Sequence, residues 1–245
     1  MRYLLVFMLL VGIFVVGKRS CFFGNMGGID GAGPKKTETR SVTGFHQVNL
    51  DISADVDITI GDYKVEVEGY ENLLPALTTE VDNGVLTIAF NQNVSYDDNI
   101  KIRISAPSFD GFTVSGSGLI EANGPIQADN LTLNMGGSGE VKIAQANLGA
   151  LRCEISGSGD IAIAGKSNSG IIQIDGSGEL HAKQMEFNEL RAGISGSGTV
   201  NAHVIQVLKA SISGSGDIYY TGDPSVQSDI SGSGSVKKLP SPPAQ

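Results

Sequence analysis

Ser156-Gly157-Ser158-Gly159 is one of seven copies of a tetrapeptide that recurs through the second half of this chain. The others begin at Ser115, Gly136, Asp175, Ser195, Ser213 and Ser231, and every copy keeps Gly-Ser-Gly in its last three positions. Successive copies start 18 to 21 residues apart. A fixed period of this length is typical of a solenoid, in which each repeat forms one coil.

The residues on both sides of the tetrapeptide alternate between apolar and polar. Around the copy at Ser156, the apolar positions are Cys153 and Ile155 before it and Ile161 and Ile163 after it. A period of two predicts a strand with one buried face on each side of the corner. Each coil is therefore expected to contain a strand, a tetrapeptide corner, a second strand and a looser third side. The predicted fold class is all-β, a β-helix.

The two glycines of each tetrapeptide are predicted to form the corners of the coils. Glycine is expected there because the chain turns sharply with positive φ and because stacked coils leave no room for a Cβ atom. The predicted corner glycines are Gly116, Gly118, Gly137, Gly139, Gly157, Gly159, Gly176, Gly178, Gly196, Gly198, Gly214, Gly216, Gly232 and Gly234.

Composition restricts the functional class. The 245 residues include 33 Gly and no Trp, and the formal net charge is -9. Many glycines fit a single elongated domain with many tight corners. An acidic chain without a basic cluster along its sequence is not expected to bind nucleic acid. Two cysteines are too few for a disulfide framework, and the three histidines have no metal-ligand spacing, so no cofactor is expected apart from the calcium alternative below.

Residues 1–20 are predicted to be an export signal or a membrane anchor. Arg2 precedes the apolar run from Tyr3 to Val16. At 1.5 Å per residue this run would span roughly 21 Å as a helix, less than a bilayer core of about 30 Å, which favours a signal. Three alternatives stay open: cleavage near Gly17, lipidation of Cys21, or a retained anchor. The membrane is expected to be a partner through this segment alone.

The remaining chain divides by pattern. Residues 21–40 are Gly-rich without a period and predict a linker. Residues 41–110 alternate in short stretches and predict a β-rich N-terminal cap continuous with the solenoid, including a hairpin at Asn83-Gly84. Residues 111–238 hold the repeats, and 239–245 form a Pro-rich polar tail. A cap is expected because the first coil would otherwise expose strand edges and core to water.

Several short motifs of the cap stand together with the tetrapeptide coils. They are Phe45 to Leu50, Ala54-Asp55-Val56 leading into Gly61-Asp62, Val65 to Leu74, Asp82-Asn83-Gly84 before Leu86, and Ile100 to Pro107. Over residues 43 to 238 the sequence resembles the head GIN domain family of adhesin-like bacterial envelope proteins. The resemblance implies a single-stranded right-handed parallel β-helix, secreted and often lipid-anchored. It supplies no established activity and no catalytic residues.

The residue directly after the tetrapeptide is acidic in three consecutive repeats, at Glu140, Asp160 and Glu179. If the coils stack in register, these carboxylates lie on one edge about 5 Å apart, where like charges repel unless a cation or a lysine lies between them. One hypothesis is a calcium edge with oxygen ligands. The alternative is a solvated edge that discourages aggregation.

We expect an exported, non-enzymatic β-solenoid of a bacterial envelope, in the periplasm, on the outer membrane or at the cell surface. Its expected role is adhesion, binding or scaffolding, with an envelope polysaccharide or protein as partner. Two alternatives are a carbohydrate-active β-helix enzyme and a calcium-dependent surface module. An enzyme should have a groove lined by converging Asp, Arg and Lys residues, whereas the basic residues here are dispersed along the sequence.

Overall fold

The computed structural model describes residues 28–95 and 100–240, which contain sixteen β-strands and no helix. Eight strands precede the repeats: β1 (Lys35–Arg40), β2 (Gln47–Leu50), β3 (Asp55–Ile60), β4 (Lys64–Tyr70), β5 (Leu77–Asp82), β6 (Val85–Phe90), β7 (Lys101–Ala106) and β8 (Gly111–Val114). Eight follow: β9 (Leu119–Met135), β10 (Glu140–Ile155), β11 (Asp160–Ile174), β12 (Glu179–Gly196), β13 (Thr199–Gly214), β14 (Asp217–Thr221), β15 (Ser225–Gly232) and β16 (Ser235–Lys238). No helix within these residues is long and apolar enough to cross a membrane.

The repeats stack as parallel coils of a β-solenoid of about 6 turns, which confirms the predicted fold class. Strands β9 to β13 follow one another in space, each pairing in parallel with the strand one repeat later. The register aligns equivalent repeat positions, so Val141 lies opposite Ile161, and Ile161 lies opposite Leu180. Each long strand bends around more than one side of its coil, and the tetrapeptides connect one coil to the next.

The core lies inside the coils and is formed by the apolar positions that the alternation predicts. Ile155, Ile161 and Ile163 are buried, and so is Cys153. Full burial of an aliphatic side chain of this size stabilises the fold by about 1.5–3 kcal/mol. Every coil contributes several such side chains to one continuous core.

The corner glycines are required by crowding between coils. A Cβ atom on Gly137 would lie 1.9 Å from the carbonyl oxygen of Gly116, and one on Gly157 would lie 2.1 Å from that of Gly137. The prediction of positive φ is wrong for most of these corners, because only Gly196, Gly214 and Gly232 among the fourteen have it. Glycine is therefore required in each coil by the close approach of the neighbouring backbone, and a left-handed conformation adds a second reason only at Gly196, Gly214 and Gly232.

The cap extends two sides of the solenoid. On the side that follows the corner, β3 pairs in parallel with β9 and with β7, β7 pairs antiparallel with β4, and β4 pairs antiparallel with β1. On the side that precedes the corner, β2 pairs in parallel with β8 and with β6, and β6 pairs antiparallel with β5. The coil made by β2 and β3 therefore has the first repeat on one side and the coil made by β6 and β7 on the other. The coil of β6 and β7 comes later in the chain but lies farther from the repeats.

Residues 51–54 take the place of a tetrapeptide in the coil made by β2 and β3. The Ser115 amide donates to the Leu50 carbonyl at 3.0 Å, and the Leu119 amide donates to the Ala54 carbonyl at 2.9 Å. The first Ser-Gly-Ser-Gly corner thus stacks on Asp51-Ile52-Ser53-Ala54. A cap segment without the motif forms a coil of the same solenoid.

The predicted linker, residues 21–40, is wrong for its last six residues. Residues Lys35–Arg40 form strand β1, which pairs along its whole length with β4. Five of its six side chains are exposed, so the strand has no buried face and its sequence has no alternation. An edge strand of this kind covers β4 through its backbone hydrogen bonds.

Candidate binding groove

The acidic positions after the corner stack as predicted. Glu140 lies opposite Asp160, and Asp160 lies opposite Glu179, in three neighbouring coils. Two of the three have basic side chains as neighbours: Lys142 Nζ donates to Glu140 at 2.7 Å, and His181 Nε2 lies 3.6 Å from Glu179 Oε2. The hydrogen bond to Glu140 and the negative charge of its carboxylate raise the pKa of Lys142.

Within residues 28–95 and 100–240, no group of three or more His, Cys, Asp or Glu side chains is arranged to hold a metal ion. The position directly after the tetrapeptide is Asp217 and then Ser235 in the last two repeats, and these two residues lie opposite each other. The Ser235 hydroxyl donates a hydrogen bond to the Asp217 carboxylate, which lowers the pKa of that carboxyl. Calcium binding at Glu140, Asp160 and Glu179 stays a prediction.

A groove of about 540 Å³ lies beside this acidic edge and crosses strands β9 to β12. Small side chains, including Ala144, Ala162 and Ala164, line its floor. The groove lies where the parallel register shifts, for example between Ala162 and Gly165 on β11. The shift bends each coil toward its third side, and small side chains at the bend leave the surface concave.

Charged side chains of both signs line the groove. Lys142, Lys183 and His181 contribute basic groups, and Glu121 is the only carboxylic acid among the described residues that line it. Glu121 and Lys142 lie opposite each other on neighbouring strands. A hydrolase of the two-carboxylate kind needs a pair of acids facing each other across the substrate. In the described lining of this groove, Glu121 has no second acid facing it; its acidic neighbour Asp57 lies beside it on β3 and lines the adjoining concavity.

A second concavity of about 450 Å³ continues the groove along the cap. Its lining includes Asp57, Glu66 and Arg103, and it shares Asn123 with the first groove. Asp57 lies opposite Arg103 on one side and opposite Glu121 on the other. The two concavities therefore meet at Asn123 and follow one side of the molecule from β4 to β12.

The family comparison agrees with this architecture. The family model described as "Putative auto-transporter adhesin, head GIN domain" matches residues 44–224. The chain belongs to the head GIN domain family. No curated protein matches the chain significantly.

Several solved structures are similar to this head GIN domain protein. A putative adhesin from Bacteroides fragilis shares 22% identity with a TM-score of 0.83, covering 86% of this chain and 100% of its own, and shows the fold. A putative adhesin from Parabacteroides distasonis shares 26% identity with a TM-score of 0.71, covering 86% and 99%. A putative lipid binding protein from the same organism shares 25% identity with a TM-score of 0.72, covering 86% and 99%.

The groove of this head GIN domain protein was not predicted from the sequence. Its basic residues Lys142 and Lys183 are dispersed along the chain, yet the coils bring them to one surface. The sequence did contain a signal for the groove, because residues at equal distances after successive tetrapeptides stack on one another in a solenoid. Cys21, the candidate lipidation site, and the leader lie outside the described residues.

Proposed function

We propose that this protein is an exported, non-enzymatic binding module of the bacterial envelope that holds an extended polymer, such as a polysaccharide strand, along its groove. The groove itself carries this proposal, because it crosses four consecutive coils. At about 4.8 Å per coil, four coils present roughly 15–20 Å of concave surface. An extended chain can contact every coil, and many weak contacts then add up.

The lining supports binding more than catalysis. Along the groove, Lys142 offers a charged hydrogen-bond donor and Glu121 a charged acceptor. Asn123 adds an amide where the two concavities meet. Hydroxyl-rich polymers offer both donors and acceptors to such a surface. The names of the family and of its solved relatives, adhesins and a lipid binding protein, support a binding role at an exported surface.

The test is to obstruct the groove without changing the fold. Ala162→Arg introduces a long side chain on the groove floor, between Lys142 and His181 in the stacked column. Ala89→Arg is the matched control, because Ala89 is similarly half-buried but lies on the cap, outside both concavities. Binding to a panel of bacterial envelope polysaccharides, with neutral lipid vesicles for comparison, is measured by calorimetry.

We expect one polysaccharide of the panel to bind, with at least about tenfold weaker binding for Ala162→Arg and less than about twofold change for Ala89→Arg. The bound polymer should keep its length, as judged by its reducing ends. Shortening of the polymer would contradict the non-enzymatic role. Binding that the groove variant does not weaken would contradict the assignment of the groove.

A further inference from the structure

A column of basic residues lies on a different side of the solenoid from the groove. The residue four positions before each tetrapeptide except the first points outward on the strand that precedes the corner, and these residues stack in register. In order along the solenoid they are Thr132, Arg152, Ile171, Arg191, Lys209 and Gln227. Three cations thus occupy four consecutive coils, although they are spread over 58 residues of sequence, from 152 to 209.

Two of these cations face each other on neighbouring strands. Arg191 lies directly opposite Lys209, and in the described part of the chain neither side chain has an ion pair or a hydrogen bond. Like charges opposite each other on neighbouring strands destabilise a sheet. This pair of like charges occurs although the chain as a whole is acidic, with a formal net charge of -9. Arg152 differs, because it forms an ion pair with Glu154.

An apolar contact surface lies within the same column. Ile171 is 47% exposed, more than any other large hydrophobic residue in the described ranges, and it lies between Arg152 and Arg191. A depression of about 260 Å³ includes Ile171, Arg191 and Lys209, together with Ser169 and Glu189. Glu189 is the one acid in this described lining, which leaves the depression with one positive charge in excess.

We propose that Arg152, Ile171, Arg191 and Lys209, the cationic column, bind a linear acidic polysaccharide. Carboxylate groups of successive sugars lie at Arg191, which can donate two parallel hydrogen bonds to one carboxylate, and at Lys209, which pairs with the next carboxylate as a single positive charge. The apolar face of one sugar ring packs on Ile171. The column follows the solenoid axis with one position about every 4.8 Å, so a linear polyanion can contact each coil in turn.

The surroundings of the column favour a linear polymer over a membrane. The neighbouring outward column carries Glu154 and Asp229, whose charges would face an anionic bilayer laid flat on this side. Single-stranded nucleic acid is usually held by aromatic side chains that stack on its bases, and the column has none.

The experiment uses oligogalacturonate as the probe and neutral dextran as the uncharged comparison. The full chain is compared with the double variant Arg191→Gln/Lys209→Gln at low and at physiological salt. Lys101→Gln/Lys166→Gln is the matched control, because it removes the same charge from exposed positions outside the column and outside both concavities of the groove. Ile171→Ser tests the apolar contact without altering charge. Thermal melts of all variants confirm that each one folds.

We expect oligogalacturonate to bind the wild type more tightly at low salt and dextran not to bind. The column double variant should weaken binding about fivefold to tenfold, Ile171→Ser should weaken it about twofold to threefold, and the control double variant should change it less than twofold. Equal losses in the two double variants would overturn the proposal. Tighter binding to phosphatidylglycerol vesicles or to single-stranded DNA, lost in the column variant, would overturn the assignment to acidic sugars. The proposal for the groove is tested separately, by the Ala162→Arg variant.

Discussion

At the residue scale, the corner glycines show how stacking controls residue choice. The space that a Cβ would need is occupied by the carbonyl oxygen of the preceding coil, as at Gly157, where the separation would be 2.1 Å. Serine is accommodated between the glycines because its side chain points away from the neighbouring backbone; Ser158 still donates its amide to the Gly137 carbonyl at 3.1 Å. The repeat motif is therefore a packing requirement of the parallel stack.

Gly157→Ala should lower the free energy of unfolding by about 1–3 kcal/mol, because the backbone of one coil must shift to admit the methyl group. Gly124→Ala is the control, since no atom lies within 4 Å of its Cβ position. That change should be neutral or slightly stabilising, by about 0.4–1 kcal/mol, through the unfolded state. Urea unfolding measures both, and equal effects would show that crowding does not select glycine at the corner.

Cys153 should make unfolding dependent on pH in the alkaline range. Burial raises the pKa of its thiol from 9.0 to about 12. Below pH 9 the thiol keeps its proton in both states; between pH 9 and 12 the unfolded state loses the proton first, so the free energy of unfolding falls. Comparing wild type with Cys153→Ala removes the contributions of tyrosines and lysines that the two proteins share. Parallel pH profiles would contradict the prediction.

At the element scale, the hairpin of β5 and β6 is an element that a local sequence signal is sufficient to predict. Asn83 and Gly84 have φ values of 48° and 82°, the left-handed conformations that the Asn-Gly pair predicts. The predicted hairpin is confirmed by the pairing of Asp82 with Val85. Gly84 is also crowded, because a Cβ there would lie 2.4 Å from His46 Nε2.

Asn83→Ala should destabilise the protein by about 1 kcal/mol, because alanine tolerates a left-handed conformation less well than asparagine. Asn83→Gly provides the matched control, since glycine adopts this conformation without steric cost. Chemical denaturation of both variants tests the prediction. If the two substitutions cost the same, the Asn83 side chain and not its backbone conformation supports the turn.

Strand β1 shows where a local signal is insufficient. Lys35–Arg40 is polar and has no buried face, so its sequence resembles a linker. Its place is decided by β4, whose outer edge needs hydrogen-bond partners. Arg40 strengthens the contact, because its Nη2 donates to the Leu74 carbonyl at 2.9 Å.

At the scale of the whole molecule, the two ends of the solenoid differ. The N-terminal end is covered by antiparallel strands β1, β4 and β5. At the other end, all eight residues of β15 are exposed. Val226 and Ile230 continue the inward columns of Leu208 and Ile212, yet they are 39% and 42% exposed because no described coil follows them.

Hydrogen exchange should therefore be graded along the solenoid. Amides of β15 should exchange at least about tenfold faster than those of β11, which has a paired coil on each side. Mass spectrometry of peptides from both strands in one sample supplies its own control. Equal protection would mean that another molecule or segment covers the open end.

The sequence by itself determined the β-solenoid, the length of its coils, the inward residues and the alignment of Glu140 with Asp160 and Glu179. Alternation and repeat spacing report these features because burial along a strand and stacking between equal repeats are local or periodic properties. The tertiary structure decided the exposed strand β1, the position of the coil of β6 and β7 outside an earlier coil, and the groove at Asn123. These depend on edge pairing, on non-sequential stacking and on the bend where register shifts, and no periodic pattern of side chains records them.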